Sequence, residues 1–512
     1  MNLETIHLRL AVIPLCIGLL ALTSACKGSQ PTTSTENTAA APAQEIIPVA
    51  ESAPEPGPEI DPTVLDRLKN EAWHGDLAGL VQRRYIRVLV SYNKTNFFYD
   101  GPQPRGVTYE SLREFEKFLN KKLNTGDKPL YMVFIPVTHE DGFKRMLEGR
   151  GDIAASNIPI IPEVTNKVDF SDPIREEVKQ IIVSGPAAPP ITSLDDLAGK
   201  EVFVRRLSRY WPNLEKLNQQ FKESRKPAIV LKEADINLQD EDILDMVNAG
   251  VVGITVMDDL VAGFWSKVYD ALIVHGDIEV AHGDQIGWAV QKNTPEFKKI
   301  INEFVDSHKV GTSFGNVVLQ RYLKETKWAK NNTSPEEMER FRNAIEFFKK
   351  YGAEYDFDWL MIAAQAYQES GIDQSRRSAA GAVGVMQIKP TTAADKAIGI
   401  LNVDTDMEKN IQAGVKYLHY ISDQHLKDGK FDKKNRGLFA FAAYNAGPTR
   451  IAGLRKQARA EGLDPNVWFN NVELVAAKEI GAETVTYVSN IYKYYIAYKM
   501  VAEREAMKKK RT

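Results

Sequence analysis

The residue most suggestive of chemistry is Glu369. Phe357, Leu360, Met361 and Ala364 fall at helical spacing, which predicts an amphipathic helix over 357–369, stopped by Gly371. A carboxyl in the last turn meets the negative end of the helix dipole. That end disfavours the charge and raises the pKa, more so where Tyr367 and its neighbours exclude water. A glutamic acid kept protonated near neutral pH is what general-acid cleavage of a glycoside requires. Taken alone, Glu369-Ser370 reads as a surface pair at a helix end. Asp373, four residues on and past a glycine, reads as a turn or cap residue, so this segment offers one dedicated carboxyl.

The elements around that helix divide the chain. From residue 335 onward strand signals vanish, and Ser334 with Pro335 makes a helix start after a turn-rich boundary at 331–335. Residues 63–325 instead alternate β-type and helical runs. Ile86-Arg87-Val88-Leu89-Val90 is followed by a helix over 111–123, then Met132-Val133-Phe134-Ile135, a helix over 143–148, and Asp152-Ile153-Ala154-Ala155. The pattern restarts at Glu201-Val202-Phe203-Val204 and runs through 243–248 to Gly253-Ile254-Thr255-Val256. Such alternation predicts parallel sheets flanked by helices in two α/β lobes, with ligands lodging between lobes at the carboxyl ends of strands. Arg205, Arg206, Ser208 and Tyr210 follow a strand end and are candidate donors to an anionic ligand, although adjacent arginines there also read as surface charge.

Length and charge bound the rest. At about 150 residues per domain, 512 residues suggest about three domains, or two with unequal extras. Lys plus Arg number 65 against 68 Asp plus Glu, a net charge of -3, which excludes bulk attraction for nucleic acid. The two cysteines, Cys16 and Cys26, exclude a disulfide framework, a cysteine metal site and a cysteine nucleophile in the body. Arg9 precedes an apolar run over 10–22 that as a helix would reach about 20 Å, short of the roughly 30 Å hydrocarbon core, and Pro14 interrupts it. Small residues follow, so 1–26 reads as a secretory signal. Residues 27–62 are Pro-rich and read as an extended tether, and 501–512 form a basic tail.

Several segments carry resemblances. Leu22-Thr23-Ser24-Ala25-Cys26 resembles a bacterial lipoprotein box, with Thr23 where leucine is usual. That implies acylation of Cys26, and Lys27 after it implies the outer membrane, facing the periplasm. Residues 63–325 resemble periplasmic solute-binding proteins of the amino-acid-binding type. The matching pieces are Arg87-Val88-Leu89-Val90, Gly151-Asp152-Ile153, Val168-Asp169-Phe170-Ser171-Asp172-Pro173, Leu194-Asp195-Asp196-Leu197-Ala198-Gly199-Lys200 and Gly287-Trp288-Ala289-Val290. In that family an arginine clamps the ligand carboxylate. Here Glu163 holds the usual acidic position but Val164 stands where the arginine would be, which argues against an ordinary free amino acid.

Residues 335–500 resemble the soluble-lytic-transglycosylase domain, a lysozyme-like fold that cuts the glycan of peptidoglycan. The resemblance runs through Glu369-Ser370-Gly371, the glycine-rich 378–390, Asn410-Ile411-Gln412-Ala413-Gly414-Val415-Lys416-Tyr417-Leu418, Ala442-Ala443-Tyr444-Asn445-Ala446-Gly447-Pro448 and Glu483-Thr484-Val485-Thr486-Tyr487-Val488. With the front domain, the whole resembles membrane-bound lytic transglycosylases of the F type. The expected fold is therefore multidomain: a two-lobed α/β periplasmic-binding-protein-like domain plus a mostly α lysozyme-like domain.

The resemblance implies that Glu369 is the acid/base and that Ser370 orients the sugar or the acid. It implies that Gln387, Tyr444 and Asn445 line the saccharide cleft and that Tyr487 lies close to the carboxyl. Amides suit sugar hydroxyls and acetamides, and tyrosine rings suit pyranose faces; Tyr487 also reads as a core residue. A single carboxyl implies non-hydrolytic cleavage between N-acetylmuramic acid and N-acetylglucosamine, giving a 1,6-anhydro product without metal or organic cofactor. The expected partners are peptidoglycan strands, a membrane through the lipid anchor, and a muropeptide effector in the front domain. The competing readings are a hydrolytic muramidase, a glycan-binding sensor without activity, and a transport receptor.

Overall fold

The computed structural model describes residues 61–101, 103–160, 165–310, 312 and 335–509. The signal with Cys26, the tether over 27–60, Glu163 with Val164, and the turn at 331–334 lie outside the described residues. The front part begins with α1 (Pro62–Asn70) and α2 (Leu77–Arg83). Pro62, read from the sequence as the end of the tether, opens α1 instead. Asp61 caps that helix by accepting from the N–H groups of Thr63 and Val64, and proline suits a first turn whose own N–H needs no partner.

There follow β1 (Tyr85–Ser91), β2 (Phe98–Asp100), β3 (Gln103–Arg105), α3 (Val107–Lys122), β4 (Tyr131–Val137), α4 (His139–Leu147) and β5 (Ile153–Pro159). Next come β6 (Asp169–Phe170), β7 (Arg175–Ser184), β8 (Glu201–Arg205), α5 (Tyr210–Glu223), β9 (Val230–Ala234) and α6 (Asp240–Asn248). The front part closes with β10 (Ile254–Asp258), α7 (Asp259–Trp265), β11 (Ile273–Val290) and α8 (Pro295–His308). One sheet has the order β10-β7-β11-β5-β1-β4, with β6 also on β11; β2 pairs with β3, and β8 with β9.

The sheet is mixed, not parallel throughout. β1 runs parallel to β4 and β5, but β11 is antiparallel to β5, β6 and β7, and β10 to β7. β1 buries Ile86 to Val90 without a break, as a strand covered on both faces must. One core gathers Ile86, Val88, Phe115, Trp288 and Phe304 around β1 and β11; a second gathers Ile182, Val202, Leu214, Val256 and Trp265. β11 joins the two lobes: it leaves beside β7 and ends beside β5.

The remainder is helical: α9 (Pro335–Glu354), α10 (Trp359–Ser370), α11 (Pro390–Ala394), α12 (Met407–His425), α13 (Lys433–Ala446), α14 (Pro448–Ala460), α15 (Glu473–Ile480) and α16 (Ala482–Lys509). α10 is not amphipathic as its spacing suggested. Leu360 through Tyr367 are all buried, so it is a central helix wrapped by its neighbours. The basic tail is no separate segment up to Lys509, because α16 runs through it. No helix among the described residues is long and apolar enough to cross a membrane.

α16 also meshes the helical part with the front lobes. Its Ala497 lies in the core of the second lobe, with Ile496 and Met500 packed against it. Buried Lys493 pairs with Asp245 of α6, and Tyr492 Oη donates to Asp235 Oδ2 at 2.9 Å. From the first lobe, the Lys94 backbone N–H donates to Glu241 Oε1 at 2.8 Å.

Candidate active site

Glu369 is the penultimate residue of α10. Asp358 caps the start of the helix by accepting from the Leu360 N–H at 2.9 Å. Gly371, at φ 67° and ψ 30°, ends it in the left-handed region that glycine enters without strain. Its N–H reaches the Tyr367 carbonyl at 2.8 Å, and the Ile372 N–H reaches that of Ala366 at 3.3 Å. This tight stop holds Glu369 against α16, where Tyr487 Oη donates to Glu369 Oε1 at 2.6 Å. Burial raises the Glu369 pKa to about 7, against the opposing pull of the Tyr487 hydrogen bond. Burial and the facing Glu369 charge push the Tyr487 phenol well above its ordinary value, so it stays a donor.

Asp373 is the turn residue its position suggested. Its Oδ1 accepts from the Ser375 N–H at 2.8 Å and hydroxyl at 2.7 Å, and the hydroxyl bond first of all holds its pKa below the usual carboxylate value. Glu369 is therefore the buried carboxyl of this site, and Asp373 takes no part in its titration.

The glycine-rich loop is fastened to the end of α10. Ser370 Oγ donates to the Val385 carbonyl at 2.8 Å and accepts from the Asp373 N–H at 3.0 Å, so the structure places this hydroxyl as a tie between helix and loop. Asn410, fully buried on α12, holds the loop from the other side. Its Nδ2 donates to the carbonyls of Val383 at 2.9 Å and Val403 at 2.8 Å, and its Oδ1 accepts from the Met386 N–H at 2.8 Å. Gly384, at φ 73°, gives that amide room: a Cβ there would stand 2.3 Å from Asn410 Nδ2. Gln387 sits at φ 44° and folds back, its Nε2 donating to the Gly384 carbonyl at 2.8 Å.

Tyr444 and Asn445 come from the end of α13. Tyr444 Oη donates to the Met386 carbonyl at 2.8 Å, and the nearby Glu369 charge adds to the burial that raises its pKa. Exposed Asn445 accepts from Thr484 Oγ1 at 2.7 Å, which leaves its amide NH2 as the donor group. The Tyr417 ring meets that of Tyr444 edge-on at 5.3 Å and lies parallel to Tyr420 at 6.5 Å. Tyr417 and Tyr420, with Thr391, Thr392, Asp395 and Ile398, line a cavity of about 330 Å³ one ring away from Tyr444. The structure thus brings Glu369, Ser370, Tyr444 and Tyr487 together, joins Gln387 and Asn445 at the rim, and adds Asn410 and Gln365. Gln365 Nε2 donates to Tyr487 Oη at 3.1 Å.

The candidate donors of the second lobe are largely engaged. Arg205 pairs with Asp240, Ser208 Oγ donates to the Arg205 carbonyl at 2.7 Å, and Tyr210 Oη donates to Asp258 Oδ1 at 3.2 Å. Arg206 is exposed and stacks over Trp211 at 5.1 Å. Sequence reading missed the more deeply set charges beside them. Arg209 pairs with Asp258 at the end of β10 and reaches Asp284 at 2.9 Å, and Gln180 Nε2 donates to Asp284 at 2.7 Å.

Comparison with known proteins covers both parts. Residues 86–317 match the family model of bacterial extracellular solute-binding proteins, family 3, and residues 346–466 match the transglycosylase SLT domain. A membrane-bound lytic murein transglycosylase F of Pseudomonas fluorescens is 27% identical over 459 residues, covering 85% of this chain and 86% of that protein. One from Desulfosudis oleivorans is 28% identical over 433 residues, covering 81% and 90%. Among solved structures, an ancestral arginine-binding protein bound to arginine aligns with 47% of this chain and 98% of its own, at 22% identity and a TM-score of 0.37. An amino acid ABC transporter substrate-binding protein from Streptococcus pneumoniae bound to L-arginine aligns with 50% and 100%, at 15% identity and a TM-score of 0.38.

Proposed function

From a chain that joins a family 3 solute-binding domain to a transglycosylase SLT domain, we infer a peptidoglycan lytic transglycosylase with an N-terminal solute-binding-like part. The observation that carries the chemistry is one buried carboxyl, Glu369, poised near neutrality and held by a phenol. Glu369 protonates the oxygen that bridges N-acetylmuramic acid and N-acetylglucosamine. The positive charge developing at C1 is relieved by the substrate's own acetamide. The Glu369 carboxylate then takes the proton of the muramyl C6 hydroxyl as that oxygen closes onto C1. No water enters, and the product carries a 1,6-anhydro end. Tyr444 and Asn445 offer a ring face and an amide to the sugars, and the cavity beside Tyr417 and Tyr420 extends that wall.

Mass spectrometry of fragments released from purified sacculi tests this reading. Products one water lighter than hydrolytic fragments support it; reducing ends would replace lytic cleavage with hydrolysis. The pH profile is a second check. Because Glu369 must start protonated and titrates near 7, kcat/KM should be level on the acid side and fall about tenfold per pH unit well above that value. A profile flat to pH 9 would remove Glu369 as the acid.

The relatives' names support a place in the cell envelope. The finer reading is export through the signal at 1–26, acylation at Cys26 and residence at the outer membrane facing the periplasm, supported by the sequence alone. For the front part we take a soluble muropeptide as the effector. Added muropeptides should then raise the melting temperature and change the turnover of the full chain; if they alter neither, that role is lost.

A further inference from the structure

Gln365 lies one helical turn before Glu369 on α10, on the same side of the helix. It is fully buried, and its side chain is joined to the carboxyl of the acid by hydrogen bonds through Tyr487. The donors along this chain all point one way in the structure, from the Gln365 amide to the phenol and from the phenol to the acid. A phenol has one proton; with that proton directed to Glu369 Oε1, the Tyr487 oxygen accepts from the NH2 of the amide. Gln365 Oε1 is then left buried without a hydrogen-bond partner among the described residues. A methionine or leucine would fill the same space without stranding a polar atom. The amide is thus kept at a penalty, and the one thing it does that they would not is hold the phenol's proton outward.

We propose that Gln365 is a positioning residue that fixes which oxygen of Glu369 carries the reacting proton. With Tyr487 held as a donor to Oε1, the proton of the neutral acid resides on Oε2. Oε2–H gives its proton to the bridging oxygen as the C1–O bond breaks, and Oε2 takes one back from the C6 hydroxyl as the new C1–O bond forms. The carboxyl is regenerated with no net proton. Without Gln365 the phenol is free to turn and accept from Oε1–H, which parks the proton on the wrong oxygen and favours the neutral acid.

The inference rests on the transglycosylase reading, and the test separates the two. Wild-type protein that releases no fragments would sink that reading. With active wild type, Gln365→Met should lower kcat about tenfold at unchanged KM and without lowering the melting temperature, and move the alkaline limb upward. In a Tyr487→Phe background the same change should have no further effect on kcat, since Gln365 acts through the phenol. An unmoved pH limb, or losses that simply add, would overturn the proposal. Gln365→Leu repeats the comparison in a second shape. An infrared difference spectrum of wild type against Glu369→Gln needs no Gln365 variant at all. It should show the carboxyl C=O stretch lowered by a hydrogen bond, and a stretch at the unbonded frequency would also overturn the assignment.

Discussion

Glu369→Gln stops the release of anhydro-ended fragments and makes the protein more stable above pH 7. General acid–base catalysis contributes about 10²- to 10⁴-fold, and here one carboxyl serves both proton transfers, so the loss belongs at the upper end, about 10⁴-fold. The stability gain follows from the raised pKa. In the unfolded chain Glu369 loses its proton near 4.5; in the folded protein burial holds it until about 7. The native state therefore keeps its full stability below the lower value and loses some as pH rises toward the upper one. A glutamine carries no charge to bury and still accepts the Tyr487 proton. Melting curves of the two proteins should coincide near pH 4 and separate by about 3 kcal/mol at pH 8, in favour of the variant. Retained cleavage removes Glu369 as the acid, and parallel melting at every pH removes its buried titration.

Lys493→Met should lower the melting temperature by roughly 10 °C. Burial works against the Lys493 charge, but Asp245 and Asp242 more than offset it, and the pKa ends above its ordinary value. Asp245 has its Oδ2 on Lys493 and its Oδ1 buried without a hydrogen-bond partner among the described residues. Removing the ammonium leaves a buried carboxylate uncompensated, which costs about 3–5 kcal/mol. A neighbour aggravates this. Burial, then Asp242, lifts Glu241, one turn before Asp245 on α6, to about 7. Glu241 gains charge as pH rises through that value, so the defect should deepen from pH 6 to pH 8. Asp245→Asn added to Lys493→Met should recover most of the loss. A melting temperature unchanged by Lys493→Met would show that the pair contributes nothing at this junction.

What the sequence made legible was local. The helix around Glu369 announced itself by apolar spacing and a terminal glycine, β4 by an unbroken apolar run, and β1 by an apolar run interrupted by Arg87. β11 was hidden because its first half is polar and half-exposed, with register shifts against β7, so no period of two survives. The site's carboxyl and its companions were readable through a resemblance, but the contacts were not. Gln365 looks like any polar residue on a helix until Tyr487, 122 residues on, is seen to meet it. Ser370 was legible as a group that orients the sugar or the acid, but not the tie of its hydroxyl to the Val385 carbonyl. Arg205 and Arg206 drew attention by adjacency, whereas Arg209 makes the deeper pairs with Asp258 and Asp284. Long-range pairing of charges leaves no local signature.

α16 gives the site a history in time. The transglycosylase match ends at residue 466, but the phenol on Glu369 arrives with a helix that begins at Ala482. A ribosome that has reached residue 480 has already made Gln365, Glu369, Ser370, Gln387, Tyr444 and Asn445. It has not made Tyr487, nor Val488 and Ile491, which fill the core beneath α10. Glu369 is therefore an ordinary glutamate from its own synthesis until the last part of the chain emerges, and it becomes a tuned acid only when that helix docks.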